Sequence, residues 1–291
     1  MYHAFSALSK RHIAVIGAVV AGLLFAATPP THAADVAFTG YLNGADIGYL
    51  VPPAPDNNSK TGIRDLRAVI AAQLQPSAMR TEAYEDAAAY DYDELLPHFS
   101  VAAGTSLNLH TRPILAHMLN MVLQDVGGYV GLAKNAKERA RPYLEDRKII
   151  PCETDYLRSS DLRSYPSGHS ANGYSAALLL SAVMPERTPL LMARGVRYGE
   201  NRIICGVHHP TDVLQGQKIA AAYFKRVVSN DRYQVDLVCA VEEHRSSIAV
   251  RTVSLPPPYS AKCAALAASY IAEAKDRADA ASKQRHSFDQ M

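Results

Sequence analysis

Apolar side chains return every three or four residues over long stretches of this chain of 291 residues. Ile63, Leu66, Val69, Ile70 and Leu74 follow that spacing, and so do Ile114, Met118, Met121 and Val122. On a helix such positions form one stripe, so both stretches predict helices with one face in a core. The run AYEDAAAYDYDELL (83–96) is rich in alanine and predicts continuing helix. From Ser170 to Met184 the residues are small and apolar on all sides, the pattern of a helix buried all round. Pro185 and Pro189 bracket a turn, after which a helix is expected from Leu190 toward Arg202. Two more helices are predicted over 211–228 and 231–246, then a linker, LPPPYS (255–260), and a last helix from Ala261 to Lys275. The final fifteen residues are charged and predict a fraying end. Alternation suited to a strand is confined to SIAVRTVSL (247–255). Residues 34–60, including YLVPPAPDNNSK, hold too much Pro and Asn for regular structure and predict an extended arm. No internal repeat is visible. The pattern predicts one all-α domain, a single helical bundle with an irregular N-terminal arm: the domain over 34–246, the arm within it over 34–60, and an extension of unknown role over 247–291.

The first thirty-three residues stand apart. Lys10, Arg11 and His12 precede the apolar run Ile13–Ala27, and Thr31-His32-Ala33 puts small residues at the −3 and −1 positions of a cleavage site. That layout predicts a secretory signal peptide over 1–33 and a periplasmic or secreted protein. Fifteen apolar residues are short of the roughly 20 that span a bilayer, which disfavours an uncleaved anchor. The leader carries two basic and no acidic side chains, so the remainder balances 28 against 28. A neutral chain gives no argument for nucleic acid or for an anionic membrane surface as partner. No later apolar run is long enough to cross a membrane; Ala176–Met184 is the longest candidate, so no stable membrane insertion is expected once the signal is cleaved. The four cysteines, Cys152, Cys205, Cys239 and Cys263, form an even set in an exported chain and predict disulfides, with three connectivities open. None of their spacings suits zinc.

Three segments carry candidate chemistry. KNAKERARP sets Lys134 and Arg141 seven residues apart, two helical turns, so that both can face one side. In SYPSGHS, Gly168 allows backbone N–H groups to converge on an anion, Ser167 adds a hydroxyl, and the helix that follows brings its positive end. In NRIICGVHHPTD, His208 and Asp212 are four apart across a helix start marked by Pro210, so the carboxylate can reach the imidazole and fix its tautomer. Alone, each segment is weak evidence.

Together they resemble the type 2 phosphatidic acid phosphatase superfamily, which also includes the vanadium haloperoxidases. The pattern Lys-x6-Arg-Pro, Pro-Ser-Gly-His and Arg-x5-His-x3-Asp is met by Lys134 to Pro142, Pro166 to His169, and Arg202 to Asp212. With the leader and the YLVPPAP arm, the chain is most similar to the bacterial class A nonspecific acid phosphatases over residues 40–245. The resemblance implies a metal-independent phosphomonoesterase of broad specificity, with His208 as nucleophile forming a phosphohistidine and Asp212 orienting it. It implies His169 as general acid and base, and Lys134, Arg141, Ser167, Gly168 and Arg202 as phosphate ligands. Small phosphomonoesters would be the substrates and no cofactor is needed; a homo-oligomer stays open. Two positions depart from the pattern: Asn201 stands where serine is usual, and His209 where an aromatic is frequent, which bears on substrate preference and makes His209 a rival nucleophile. His98, His110 and His117 are expected to be packed or solvated. The alternatives are a vanadium-dependent haloperoxidase on the same fold and a non-catalytic phosphate-binding helical protein. Because Cys152 and Cys205 flank the catalytic segments and Cys239 and Cys263 flank the last linker, those are the expected pairs.

Overall fold

The chain was analysed as a computed structural model that describes residues 38–152, 162–249 and 260–288. The expected leader, and most of the strand candidate at 247–255, lie outside them; Ser247–Ala249 end a helix. The described residues all fall in one unit, residues 35–291. Its elements in order are α1 (Lys60–Ala72), α2 (Ser77–Ala88), α3 (Tyr92–Leu95), α4 (Ser100–Ala103), α5 (Pro113–Ala136), α6 (Pro142–Glu145), α7 (Gly168–Val183), α8 (Thr188–Ile204), α9 (Pro210–Val227), α10 (Asp231–Ala249) and α11 (Ala261–Phe288). No strand occurs among the described residues. The fold is all-α.

The helix predicted to be apolar all round is the hub. α7 packs against α8, α9, α5 and α10, and Leu179, Leu180 and Val183 are buried on it. Each such side chain contributes about 1.5–3 kcal/mol by leaving water. Small residues let the neighbours approach: a Cβ on Gly216 of α9 would sit 2.3 Å from the Ser167 carbonyl oxygen and 3.0 Å from the Ala171 amide nitrogen. That contact presses α9 onto the start of α7.

The irregular arm is pinned by specific bonds. Asp125 of α5 accepts from the Gly40 and Leu42 amides (3.1 and 2.7 Å), and the Tyr165 hydroxyl donates to the Pro52 carbonyl (3.0 Å). At the start of α5, where Pro113 costs no hydrogen bond, Glu243 of α10 accepts from the Ile114 and Leu115 amides (3.0 and 3.1 Å).

Four sequence expectations change. The helix expected through 83–96 breaks after Ala88. The carbonyls that would continue it bond elsewhere: Ala87 O accepts from His169, Ala89 O from the Tyr198 hydroxyl, and Tyr90 O from Asn172. Lys134 and Arg141 do not share a helix, because α5 ends at Ala136 and residues 137–141 are extended. Pro142 forces this, since the residue before a proline is driven from the helical region; Arg141 has φ −77° and ψ 149°. The helix expected to start at Ser170 begins at Gly168, with Ser167 as N-cap accepting from the Ser170 amide. The helix expected to end near Lys275 continues to Phe288.

α11 is tied to the body. The Cys239–Cys263 disulfide joins it to α10 with Cα atoms 5.2 Å apart, and the Tyr270 hydroxyl donates to Asp236 (2.8 Å). The Tyr270 ring stacks on His117 with centroids 3.4 Å apart, and burial pushes that imidazole down to about 3. The other disulfide is Cys152–Cys205, with Cα atoms 4.8 Å apart. Both expected pairs are present.

Candidate active site

The three segments singled out in the sequence meet where α5, α7, α8 and α9 end or begin. Gly206, at φ +74°, closes α8 in a conformation that an L side chain rarely adopts, and the chain then delivers His208 and His209 to the start of α9. The Ser167 amide donates to the Asp212 carbonyl (3.0 Å), which ties the two histidine segments together.

His208 is held at both ring nitrogens. Its Nδ1 lies 3.5 Å from Asp212 Oδ2 and 3.4 Å from the Ser164 hydroxyl, and its Nε2 is 3.2 Å from the Arg141 guanidinium. Arg141 donates only, so Nε2 must carry the lone pair and Nδ1 the proton. Burial, and then the Arg141 charge, hold this imidazole well below its ordinary range, against the pull of Asp212. Asp212 is fully buried. Burial alone would raise its carboxyl, but the bonds to His208 and His209 outweigh that and keep it well below the usual carboxylate range.

His169, on the first turn of α7, bonds the Ala87 carbonyl through Nε2 (3.0 Å). A carbonyl accepts, so Nε2 keeps its proton and Nδ1 is the position that can gain or lose one. Burial, then the charge of Arg202, push this imidazole well below its ordinary range; His208 and Arg141 act in the same direction, so all these groups share one electrostatic neighbourhood. Lys134 is buried and donates to the Arg163 carbonyl (2.6 Å). Arg202, Ser167 and Gly168 are buried as well.

Several residues that sequence reasoning passed over complete the arrangement. Arg139 bridges two buried carboxylates, Asp212 Oδ1 at 2.8 Å and Asp65 Oδ2 at 3.1 Å. In the extended run before Pro142, Glu138 and Ala140 face out while Arg139 and Arg141 are buried, a period of two. The Arg-x-Arg-Pro spacing was the available signal, hidden by the expectation of helix. The Ser164 hydroxyl donates to Asp212 Oδ2 (2.6 Å). Asn201 donates to Asp86 (2.7 Å) and Glu82 (3.1 Å), and Asp86 also takes Arg194 and His98, so α2 holds α8 just before Arg202. His110 is exposed. His209 is buried: its Nδ1 is 3.1 Å from Asp212 Oδ2 and its Nε2 is 3.2 Å from Glu145 Oε1.

Beside His169, whose ring centroid is 4.8 Å from that of Tyr90, lies a cleft of about 350 Å³ lined by Tyr90, Asp91, Tyr92, Asn120, Gln124 and Asn172 among others. Among the described residues no group of three His, Cys, Asp or Glu side chains is disposed to hold a metal ion, and no helix is long and apolar enough to cross a membrane.

A helical bundle that gathers buried cations, a helix N-terminus and a carboxylate-backed histidine has the chemistry to hold an anion. The chain belongs to the PAP2 superfamily, whose model matches residues 113–235 and so spans Lys134 through Asp212. It is 30% identical to a non-specific acid phosphatase of Providencia stuartii over 244 residues, covering 80% of this chain and 97% of that protein. It is 31% identical to a non-specific acid phosphatase of Salmonella typhimurium over 67% of this chain and 78% of that one. An acid phosphatase of Zymomonas mobilis matches at 27% identity over 78% of this chain and 86% of its own length. These are the bacterial acid phosphatases that the three motifs pointed to.

Proposed function

We propose that this phosphomonoesterase is exported and works through a phosphohistidine at His208. The observation that carries the reading is the state of His208: proton on Nδ1 beside Asp212, lone pair on Nε2 beside Arg141. A phosphoryl group bound among Lys134, Arg141, Arg202, Ser167 and the Gly168 amide would meet that lone pair head on, and charge-assisted donors would neutralise its oxygens. Nε2 attacks phosphorus, the ester P–O bond breaks, and the leaving oxygen takes the proton from His169 Nδ1. The neutral Nδ1 then removes a proton from water, which attacks phosphorus and releases His208 and inorganic phosphate. Asp212 balances the positive charge that develops on the ring at each step.

The low basicity of His208 suits acid conditions, because it stays unprotonated there. His169 Nδ1 needs a proton to give to the leaving oxygen, and a phosphate ester near its second ionisation, about pH 6, brings that proton into the site. The cleft beside Tyr90 offers amide, hydroxyl and aromatic surface to the leaving group without a single demanding contact, which supports broad specificity. The leader over 1–33 and two disulfides support export to an oxidising compartment.

The test is turnover of p-nitrophenyl phosphate. His208→Ala should abolish it, vanadate should inhibit the intact protein, and EDTA should leave its activity in place. Activity lost to EDTA and restored by a divalent ion would overturn the metal-independent reading. N-terminal sequencing of protein recovered from outside the cytoplasm should begin at Ala34.

A further inference from the structure

Asp212 Oδ2 is a crowded acceptor. It takes the Ser164 hydroxyl at 2.6 Å, the His209 amide at 2.8 Å and faces His209 Nδ1 at 3.1 Å, whereas His208 Nδ1 is farther away at 3.5 Å. The second histidine therefore stands closer to the orienting carboxylate than the first. Its other nitrogen is 3.2 Å from Glu145 Oε1 and out of line for a hydrogen bond, with both atoms buried.

A neutral imidazole has one proton for its two nitrogens. Between two carboxylate oxygens, one end of neutral His209 would turn a lone pair against an acceptor at about 3 Å, which is unfavourable in a buried site. The arrangement is satisfied by a proton on the Glu145 carboxyl, which then faces the Nε2 lone pair while Nδ1–H faces Asp212. Burial raises the Glu145 carboxyl, while His209 and Arg139 pull it the other way. Among the described residues, the other charged or titratable groups facing the pair are Asp212 and His208, with Arg139 and, through it, Asp65 of α1 behind them.

We propose that His209 is a positioning residue: with Glu145 it holds a proton against Asp212, draws on the oxygen that would otherwise grip His208, and so keeps His208 free to attack in acid. A carboxylate shared between two imidazoles stabilises the protonated form of each less than it would stabilise one alone. This rests on the reading of His208 as nucleophile.

The experiment is the pH profile of kcat/KM on p-nitrophenyl phosphate for the full-length protein, whose acid limb reports the free enzyme. His209→Phe keeps a ring of similar size and removes both nitrogens. Its acid limb should move up by about one pH unit, a roughly tenfold loss of kcat/KM at a fixed pH below the limb, with less than tenfold loss on the plateau. Glu145→Gln should move the limb in the same direction by less. His209→Asn, whose side-chain amide can stand in for Nδ1, should recover part of the shift. A folded His209→Phe protein with an unmoved limb would overturn the proposal and leave His209 as a helix cap. Where His209→Phe fails to fold, an unmoved limb in Glu145→Gln does the same. Turnover surviving in His208→Ala but lost in His209→Phe would instead sink the assignment of the nucleophile.

Discussion

Arg139→Met removes the cation that bridges the buried carboxylates of Asp65 and Asp212. Asp65 is 2% exposed and Asp212 0%, and Arg139 Nη1 reaches them at 3.1 and 2.8 Å. Removing one partner of a buried ion pair costs about 3–5 kcal/mol, because the other charge is stranded. Both carboxylates keep other donors, Thr211 on Asp65 and Ser164 and the His209 amide on Asp212, so the lower end applies: about 3 kcal/mol. For a domain of this size that is a fall in Tm of about 6–12 °C at pH 7. The sign with pH follows from Asp212. Its folded-state carboxyl lies below the usual range, so its stabilising contribution is present above an unfolded value of about 3.9 and fades as pH falls through the folded one. The two melting curves should therefore draw together below about pH 4. Asp65→Asn in the variant background should recover about 1–3 kcal/mol, the coupling expected of groups in contact. Thermal unfolding followed by circular dichroism at pH 7 and at about pH 2, well below the unfolded carboxyl value, measures all of this. A loss under about 1 kcal/mol at pH 7, or an equal loss at both pH values, would refute the reasoning.

His169→Ala should slow alkyl phosphates by a further ~10²–10⁴ relative to p-nitrophenyl phosphate, whose leaving group needs little protonation; equal losses on both would place the acid elsewhere. The Cys152–Cys205 disulfide closes a loop of 53 residues, so the double serine variant should lose about 4 kcal/mol in the chain-entropy model, read from urea midpoints. His208 in the folded protein resists protonation while the unfolded chain accepts a proton below about pH 6.5, so this residue lowers stability as pH falls through that value. His208→Ala should consequently gain about 2 kcal/mol relative to the parent between pH 7.5 and pH 5 by urea unfolding; no relative gain would contradict the burial argument.

The helices that carry the bundle were legible because their apolar period is local: α1, α7, α8 and α9 lie within a few residues of where the spacing put them, and α5 starts there but runs on to Ala136. What the pattern missed depends on contacts distant in sequence. The break after Ala88 is made by His169, Asn172 and Tyr198, whose side chains claim the carbonyls that a longer α2 would use. The motif residues were legible from spacing, but the route by which Lys134 and Arg141 meet was not, since Pro142 unwinds the chain that periodicity alone would coil. Arg139 and Asp65 stayed hidden because their meaning lies in a contact across 74 residues. Glu145 and His209 likewise acquire a role only when α6 and the start of α9 come together.

The account stands on His208 as the group that carries phosphoryl. The direct measurement is an alkaline quench of the enzyme during turnover of p-nitrophenyl phosphate, followed by peptide mass spectrometry of the segment around residues 203–212. The account predicts one added phosphoryl group, localised to His208, absent from His208→Ala and accumulating in His169→Ala as water activation fails. Phosphate on His209, or an unmodified peptide under conditions where His169→Ala gives a burst of nitrophenolate, would contradict it.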